Sequence, residues 1–398
     1  MSSELMAVYN RAPVEVERGE GVWLHARDGR VFLDCVAGIA TNSLGHAHPA
    51  LVAALTEQAH KLWHVSNIFR IPGQEELAHR LVENSFADVV FFGNSGSEAV
   101  ECALKTARKY HAANGQPERI DIFGFASSFH GRTYAAVSAS GNPAYLDGFG
   151  PRLPGYHQLV IDDAAAIEEA IRQPTAAAVI VEPVQGEGGA RALDEAWLRR
   201  VRDLCSETGT LLIYDEVQCG MGRTGKLFAH QWFDGVEPDI MAVAKALGGG
   251  FPVGACLSTA AAAKGMVVGT HGSTFGGNPL AMAVGKAAFD LIASAATLDN
   301  VRTIAARLHD GLRSLAAHYP DIAVDVRGKG LLIGVKLIPN NREMMATARD
   351  HGLLVAGGGD NCVRLLPSLL MTGAEADEAL KRLEQAFAAT RAAVAEAA

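Results

Sequence analysis

The stretch Leu211–Gly225, LLIYDEVQCGMGRTG, decides how this chain is to be read. Four apolar residues (Leu211, Leu212, Ile213, Tyr214) run without interruption into Asp215 and Glu216. A short continuous apolar run of this kind reads as a strand buried on both faces. A carboxylate at the end of such a strand is poorly placed for plain packing, because a buried charge needs a partner. Helix capping and metal ligation are two ordinary uses of an Asp in this position.

Working outward, the same pattern recurs. Short apolar runs fall at Val89–Phe92, Ile120–Phe125, Ala177–Val181, Ile240–Ala244 and Val253–Ser258, with helical stretches between most of them and a helix beginning near Ser97. Alternation of this kind predicts an α/β domain with a large, mostly parallel sheet covered on both faces. Ligands of such sheets sit beyond the carboxyl ends of the strands, so the residues just after each run are the ones to examine. Upstream, Val22–Leu24 and Arg30–Leu33 flank Asp28-Gly29 and read as a hairpin. Downstream of Pro279, two long helical stretches, short strands at Ile322–Val326, Leu331–Leu337, Leu353–Ala356 and Val363–Leu366, and a terminal helix from about Ala374 predict a smaller α+β domain. The expected division is an N-terminal segment over 1–59, a large domain over 60–278 and a small C-terminal domain over 279–398.

Two strand ends carry chemistry together. Lys245, in DIMAVAKALGGG, follows an apolar run and precedes a glycine turn. A lysine at the mouth of a buried strand loses hydration, which lowers its pKa and leaves the amine nucleophilic; the alternative is a solvated surface charge. Asp215 could pair with a protonated ring nitrogen such as that of pyridoxal phosphate, and Gln218 could donate to that cofactor's phenolic oxygen. Ser95-Gly96-Ser97 precedes a helix, where free N–H groups favour an anion, although a plain Ser cap with Glu98 and Glu101 in the first turns reads equally well. Phe129 could stack on a planar ring and Arg132 could fork onto a carboxylate. Hydroxyls between glycines in His271–Asn278 suit a phosphate ester. His46, His48 and His130 read as hydrogen-bonded structural histidines, and no metal site is expected.

Composition narrows the classes. The 398 residues are 49% hydrophobic and 20% charged, enough for a large core. A net charge of −9 argues against nucleic acid, whose binding depends on neutralising phosphates. Six separated cysteines, with no C-x-x-C pair, read as reduced thiols of a cytoplasmic protein. No signal peptide precedes the first strand, and no run reaches the roughly 18 apolar residues of a membrane span. The absence of G-x-x-x-x-G-K-[ST] and G-x-G-x-x-G counts against ATP and against a nicotinamide-dependent oxidoreductase.

Taken together, LLIYDEVQCGMGRTG, the Lys245 segment and STFGGNP (Ser273–Pro279), in that order and spacing, resemble the class III aminotransferases of the pyridoxal-phosphate fold-type I group, and most of all the acetylornithine aminotransferases. The resemblance runs from about Gly21 to Leu369 and is supported by EPVQGEGG (Glu182–Gly189), SNIF (Ser66–Phe69) and GNSGSEA (Gly93–Ala99). It implies that Gly96, Ser97 and, from the neighbouring subunit of a homodimer, Thr274 hold the cofactor phosphate. Phe129 and Val217 would sandwich the ring, Asp215 would pair with its nitrogen, Gln218 would touch its oxygen, and Lys245 would be the Schiff-base lysine. Arg132 would bind a substrate carboxylate, with Ser273 close by. Relatives more often have Thr where Ser97 stands; a hydroxyl is kept.

The implied reaction passes an amine from a donor to 2-oxoglutarate, with freed Lys245 moving the proton. Glutamate carries two carboxylates, so its site should offer two arginines: Arg132, and Arg364 in CVRLLPSL. N-acetylornithine presents one carboxylate, to Arg132, and would leave Arg364 unpaired, a costly state. Glu187 resembles the family's switch carboxylate that covers this arginine. The stretch Val36–Ala40 has no acid or tyrosine to hold a free α-ammonium, which suits an acylated donor; succinylornithine, N-succinyl-diaminopimelate, ornithine and 4-aminobutyrate remain as alternatives.

Overall fold

In the computed structural model, described here for residues 4–397, a seven-stranded sheet forms the centre. Its strand order is Val89–Gly93, Gly254–Ser258, Ile240–Val243, Leu211–Asp215, Ala176–Val181, Asp121–Phe125 and Tyr156–Leu159. Neighbours pair in parallel except Gly254–Ser258, which runs antiparallel to the strands on both its sides. The strand Tyr156–Leu159, half-exposed at the edge, has no continuous apolar run and escapes a reading based on such runs.

Side-chain alternation explains how the sheet is covered. Along Leu211–Asp215, Leu212 and Tyr214 join one hydrophobic cluster while Leu211 and Ile213 join another. The second cluster includes Ala99, Val100, Ala103 and Ala107 of the helix Gly96–Ala113, whose small side chains let it lie close on the sheet. Ser95 caps that helix by accepting from Glu98 N at 3.2 Å. Every residue of Ala176–Val181 is buried, as a strand covered on both faces requires.

The hairpin of Trp23–Ala26 and Val31–Asp34 forms, preceded by a strand at Val16–Glu20. These strands do not stand alone: Val31–Asp34 pairs in parallel with Leu353–Leu354, so the start of the chain joins a four-stranded sheet with a residue pair more than three hundred positions away. A second four-stranded sheet, Ala323–Lys329, Leu332–Leu337, Cys362–Leu365 and Ala356–Gly358, carries Arg364. The helix Pro279–Ile292 packs against Pro49–Ala59 and Pro72–Glu83, and Ala295–His318 packs against Ala323–Lys329 and the final helix Gly373–Ala397. No single helix among the described residues is long and apolar enough to cross a membrane.

Candidate active site

The carboxyl ends of the parallel strands converge on a cavity of about 330 Å³. Glu182 follows Ala176–Val181, Asp215 ends Leu211–Asp215, and Lys245 comes two residues after Ile240–Val243; all three line it. Pro252 and Val253 reach the same place because their strand is antiparallel and begins where its neighbours end. Asn94 to Ser97, at the start of the helix Gly96–Ala113, close another side.

Lys245 is the most constrained member. Its φ of +41° lies in the left-handed region, which costs a side-chain-bearing residue on the order of 1–3 kcal/mol. The side chain keeps some accessible surface because it faces the cavity, yet protein crowds it on every side. That burial is the main force on its ammonium and lowers the pKa from 10.5 to about 8; Glu187 pulls the other way and Arg364 adds to the lowering. A larger share of the amine is thereby free near neutral pH than at an ordinary lysine.

Asp215 is 3% exposed. Its Oδ1 accepts from Val217 N at 3.0 Å, and its Oδ2 lies 2.8 Å from His130 Nδ1. Burial by itself would lower the pKa of His130, but the hydrogen bond and charge of Asp215 outweigh it and raise the value. The imidazole fits the structural role expected of it, now with a specific partner: it holds the carboxylate that faces the cavity. Its buried Nε2 has no partner among the described residues.

Glu182 lines the same cavity and was given no role of its own in the sequence. Its two oxygens accept from Phe129 N at 2.7 Å and Gly186 N at 2.9 Å, fixing the loops that carry Phe129 and Glu187. Burial drives its carboxyl up to about 7. The clue was present, since Glu182 follows an apolar run as Asp215 does.

Arg364 is 1% exposed. Its Nη2 is 2.8 Å from Glu187 Oε1, its Nε donates to Gly357 O at 2.9 Å, and its Nη1 donates to Gln218 Oε1 at 3.2 Å. Gln218 therefore braces the arginine as well as lining the cavity, and a side chain at Gly186 would collide with it.

Phe129, Val217, Gly96 and Ser97 also line the cavity. Gly96 is needed there, because a Cβ would sit 2.7 Å from a Val217 methyl. Arg132, Ser273 and Thr274 do not line it. Arg132 is exposed in an adjoining recess of about 650 Å³ that shares Phe129, with its guanidinium 3.9 Å from the centre of the Tyr145 ring. Ser273 accepts from Asn94 Nδ2 at 3.2 Å and from Gly276 N at 3.0 Å, and Thr274 is exposed. Among the described residues no group of three metal-ligating side chains converges.

The donor set fits pyridoxal phosphate. A helix N-terminus with a hydroxyl suits the phosphate dianion, a buried carboxylate suits a cationic ring nitrogen, and a desolvated amine suits an aldehyde. An aromatic ring and a valine methyl on the walls suit a flat heterocycle.

Comparisons with known proteins show the family. The family described as aminotransferase class-III matches residues 6–387. Acetylornithine aminotransferase 2 of Caulobacter vibrioides is 70% identical over 388 residues, 98% of this chain and 96% of that protein. Among solved structures, N-acetylornithine aminotransferase from Stenotrophomonas maltophilia superposes with a TM-score of 0.85 at 40% identity, covering 97% of this chain and 98% of that one. Ornithine aminotransferase from Toxoplasma gondii superposes with a TM-score of 0.92 at 33% identity, covering 97% and 93%.

Proposed function

The chain belongs to the class-III aminotransferases, enzymes that depend on pyridoxal phosphate, and from that premise we propose that it moves the terminal amine of N2-acetyl-L-ornithine to 2-oxoglutarate. The products are N-acetyl-glutamate semialdehyde and glutamate, which places the reaction in arginine biosynthesis. One observation carries the donor class, a single-carboxylate amine, which the 70% identical acetylornithine aminotransferase 2 narrows to acetylornithine: Arg364, buried beside the cavity, is covered by Glu187 at 2.8 Å. A donor with a single carboxylate has no use for a second open arginine, and a bare buried guanidinium would be costly.

Bound pyridoxal phosphate supplies an aldehyde that captures amines and a cationic ring that withdraws electrons from the donor carbon. Lys245 Nζ would hold the cofactor's aldehyde and would take the proton from the donor carbon. Its lowered pKa, about 8, leaves a far larger share of the amine unprotonated near neutral pH than an ordinary lysine would have. Asp215, fixed by His130 and Val217 N, keeps the ring nitrogen protonated. Ser97 and the backbone N–H groups of Gly96 and Ser97 hold the phosphate, joined by Thr274 of a second subunit. Phe129 and Val217 would hold the ring faces, and Gln218 would reach its oxygen. Arg132, in the adjoining recess with Ser273 nearby, takes the carboxylate common to acetylornithine and to the far end of glutamate. When 2-oxoglutarate or glutamate enters, Glu187 leaves Arg364, and Arg364 takes the second carboxylate. The active form is then a cytoplasmic homodimer.

The 0.92 superposition on an ornithine aminotransferase keeps free ornithine as the second reading. A donor panel of acetylornithine, succinylornithine, ornithine and 4-aminobutyrate with 2-oxoglutarate, compared by kcat/KM, separates them. Acetylornithine should lead; a higher value for ornithine overturns the assignment.

A further inference from the structure

A second cavity, of about 380 Å³, shares no lining residue with the first. Its walls come from the sheet edge, where Phe91 and Cys256 are register partners on adjacent antiparallel strands, and from Cys102 and Thr106 of the helix Gly96–Ala113. His271 closes one side. The proposed reaction uses none of these groups.

Two thiols and a histidine therefore meet around an opening large enough for a small molecule. Lys105 Nζ lies 2.8 Å from His271 Nδ1. An ammonium can only donate, so Nδ1 accepts and the ring proton is placed on Nε2. The ring is steadied against Phe91, with centroids 4.6 Å apart. Its remaining N–H is free to donate to a sulfur anion, and Cys102 lines the same cavity. Thr106 Oγ1, 3.9 Å from Cys102 Sγ, offers a further weak donor.

The other cysteines show how unusual this is. All six thiols are free and buried. Burial pushes Cys35 and Cys219 well up, raises Cys205 to about 12 and raises Cys362. Cys102 alone is lowered, to about 6: the neighbouring Cys256 contributes most, burial opposes, and His271 and Thr106 add to the lowering. Cys256, in turn, is held well above its ordinary value, as the partner that keeps its proton. A lowered thiol that lines a cavity together with a second thiol is the arrangement of a reactive cysteine with a resolving one.

We propose that this second cavity is an oxidation site, at which hydrogen peroxide reacts with Cys102 and Cys256 then closes on Cys102 to form a disulfide. The Cys102 thiolate attacks the peroxide O–O bond, taking one oxygen as sulfenic acid and releasing the other as hydroxide, which leaves as water with the proton that Cys102 had shed. The Cys256 sulfur then displaces that sulfenic oxygen as a second water, with the Cys256 proton. Two thiols are oxidised and one peroxide is reduced to two waters. The new bond would tie the helix that presents Gly96 and Ser97 to the strand that follows Val253, two walls of the cofactor cavity.

The test uses cofactor-loaded enzyme, hydrogen peroxide at one equivalent, and peptide mapping by mass spectrometry. Wild type should yield a linked pair of peptides containing Cys102 and Cys256, lighter by two hydrogens, before Cys35 or Cys205 is touched. Cys256→Ser should instead carry added oxygen on Cys102, and Cys102→Ser should form neither product. His271→Gln should slow the reaction about tenfold, through the lost thiolate fraction. Cys102 left unmodified, oxidised no faster than Cys35, or oxidised without bridging to Cys256 overturns the proposal, as does an unchanged rate in His271→Gln. The wild-type map needs no variant, so a misfolded substitution does not spare the idea.

Discussion

Asp215 and Glu216 are adjacent, both acidic, both almost fully buried, and each is bonded to a histidine. Asp215 Oδ2 lies 2.8 Å from His130 Nδ1, and Glu216 Oε1 lies 2.9 Å from His230 Nδ1. Their surroundings differ completely. Glu216 also accepts from Ala229 N at 2.5 Å and His230 N at 2.9 Å and touches no part of the cofactor cavity; it closes a loop inside the protein. Asp215 has fewer donors and lines the cavity. The pleat sends successive side chains to opposite faces, so one residue of offset separates a structural acid from one poised to act. A carboxylate held in place yet short of donors is what marks a site here.

The largest effect should come from the group facing Asp215 across the cavity. Lys245→Met should cut turnover by at least about 10⁴-fold, read as initial rate on saturating donor, and should abolish cofactor fixation by borohydride. The same variant tests burial in the cofactor-free protein. The folded pKa of Lys245, about 8, lies below its ordinary 10.5, so below pH 8 the wild type carries the full penalty of a buried charge. Between pH 8 and 10.5 the unfolded chain binds the extra proton, and wild-type stability rises. Cofactor-free Lys245→Met should therefore melt higher than cofactor-free wild type at pH 7, with the gap shrinking above pH 8.

Asp215→Asn should lower kcat/KM by about 10²–10³-fold with little change in melting temperature, since the amide keeps the shape and loses the charge. Glu187→Gln should weaken the cover on Arg364 and shift the ratio of kcat/KM for glutamate over acetylornithine by about tenfold, the scale of one charge-assisted hydrogen bond. Glu216→Gln is the control: unfolding in denaturant should lose about 1–3 kcal/mol, because at least one buried donor is left unmet, while kcat stays within about twofold. A Glu216 variant as inactive as the Asp215 variant would erase the distinction between the two acids.

Much of the large domain was legible because buried strands announce themselves as apolar runs, and strand ends then point to Asp215 and Lys245 without further help. Glu182 carried the same signal and was passed over. The role of Thr274 rests on resemblance and that of Arg132 on its guanidinium and resemblance together, and within one chain neither residue lines the cavity. His130 lies 85 positions from Asp215, and nothing local to either residue marks them as partners. Glu187 and Arg364 stand still further apart, on a loop and on a strand of a different sheet. The pairing of Val31–Asp34 with Leu353–Leu354 was hidden for the same reason.

By itself, then, the order of residues determined which segments become strands, which face each side chain takes, and which charges stand at strand ends, since all of these follow from periodicity and local burial. Only the folded chain decided which histidine steadies which acid, that Gln218 and Gly357 brace Arg364 beside the expected Glu187, and that Cys102 and Cys256 share a cavity. Those contacts join distant positions whose meeting depends on how sheets and helices pack, and side-chain chemistry alone does not encode it.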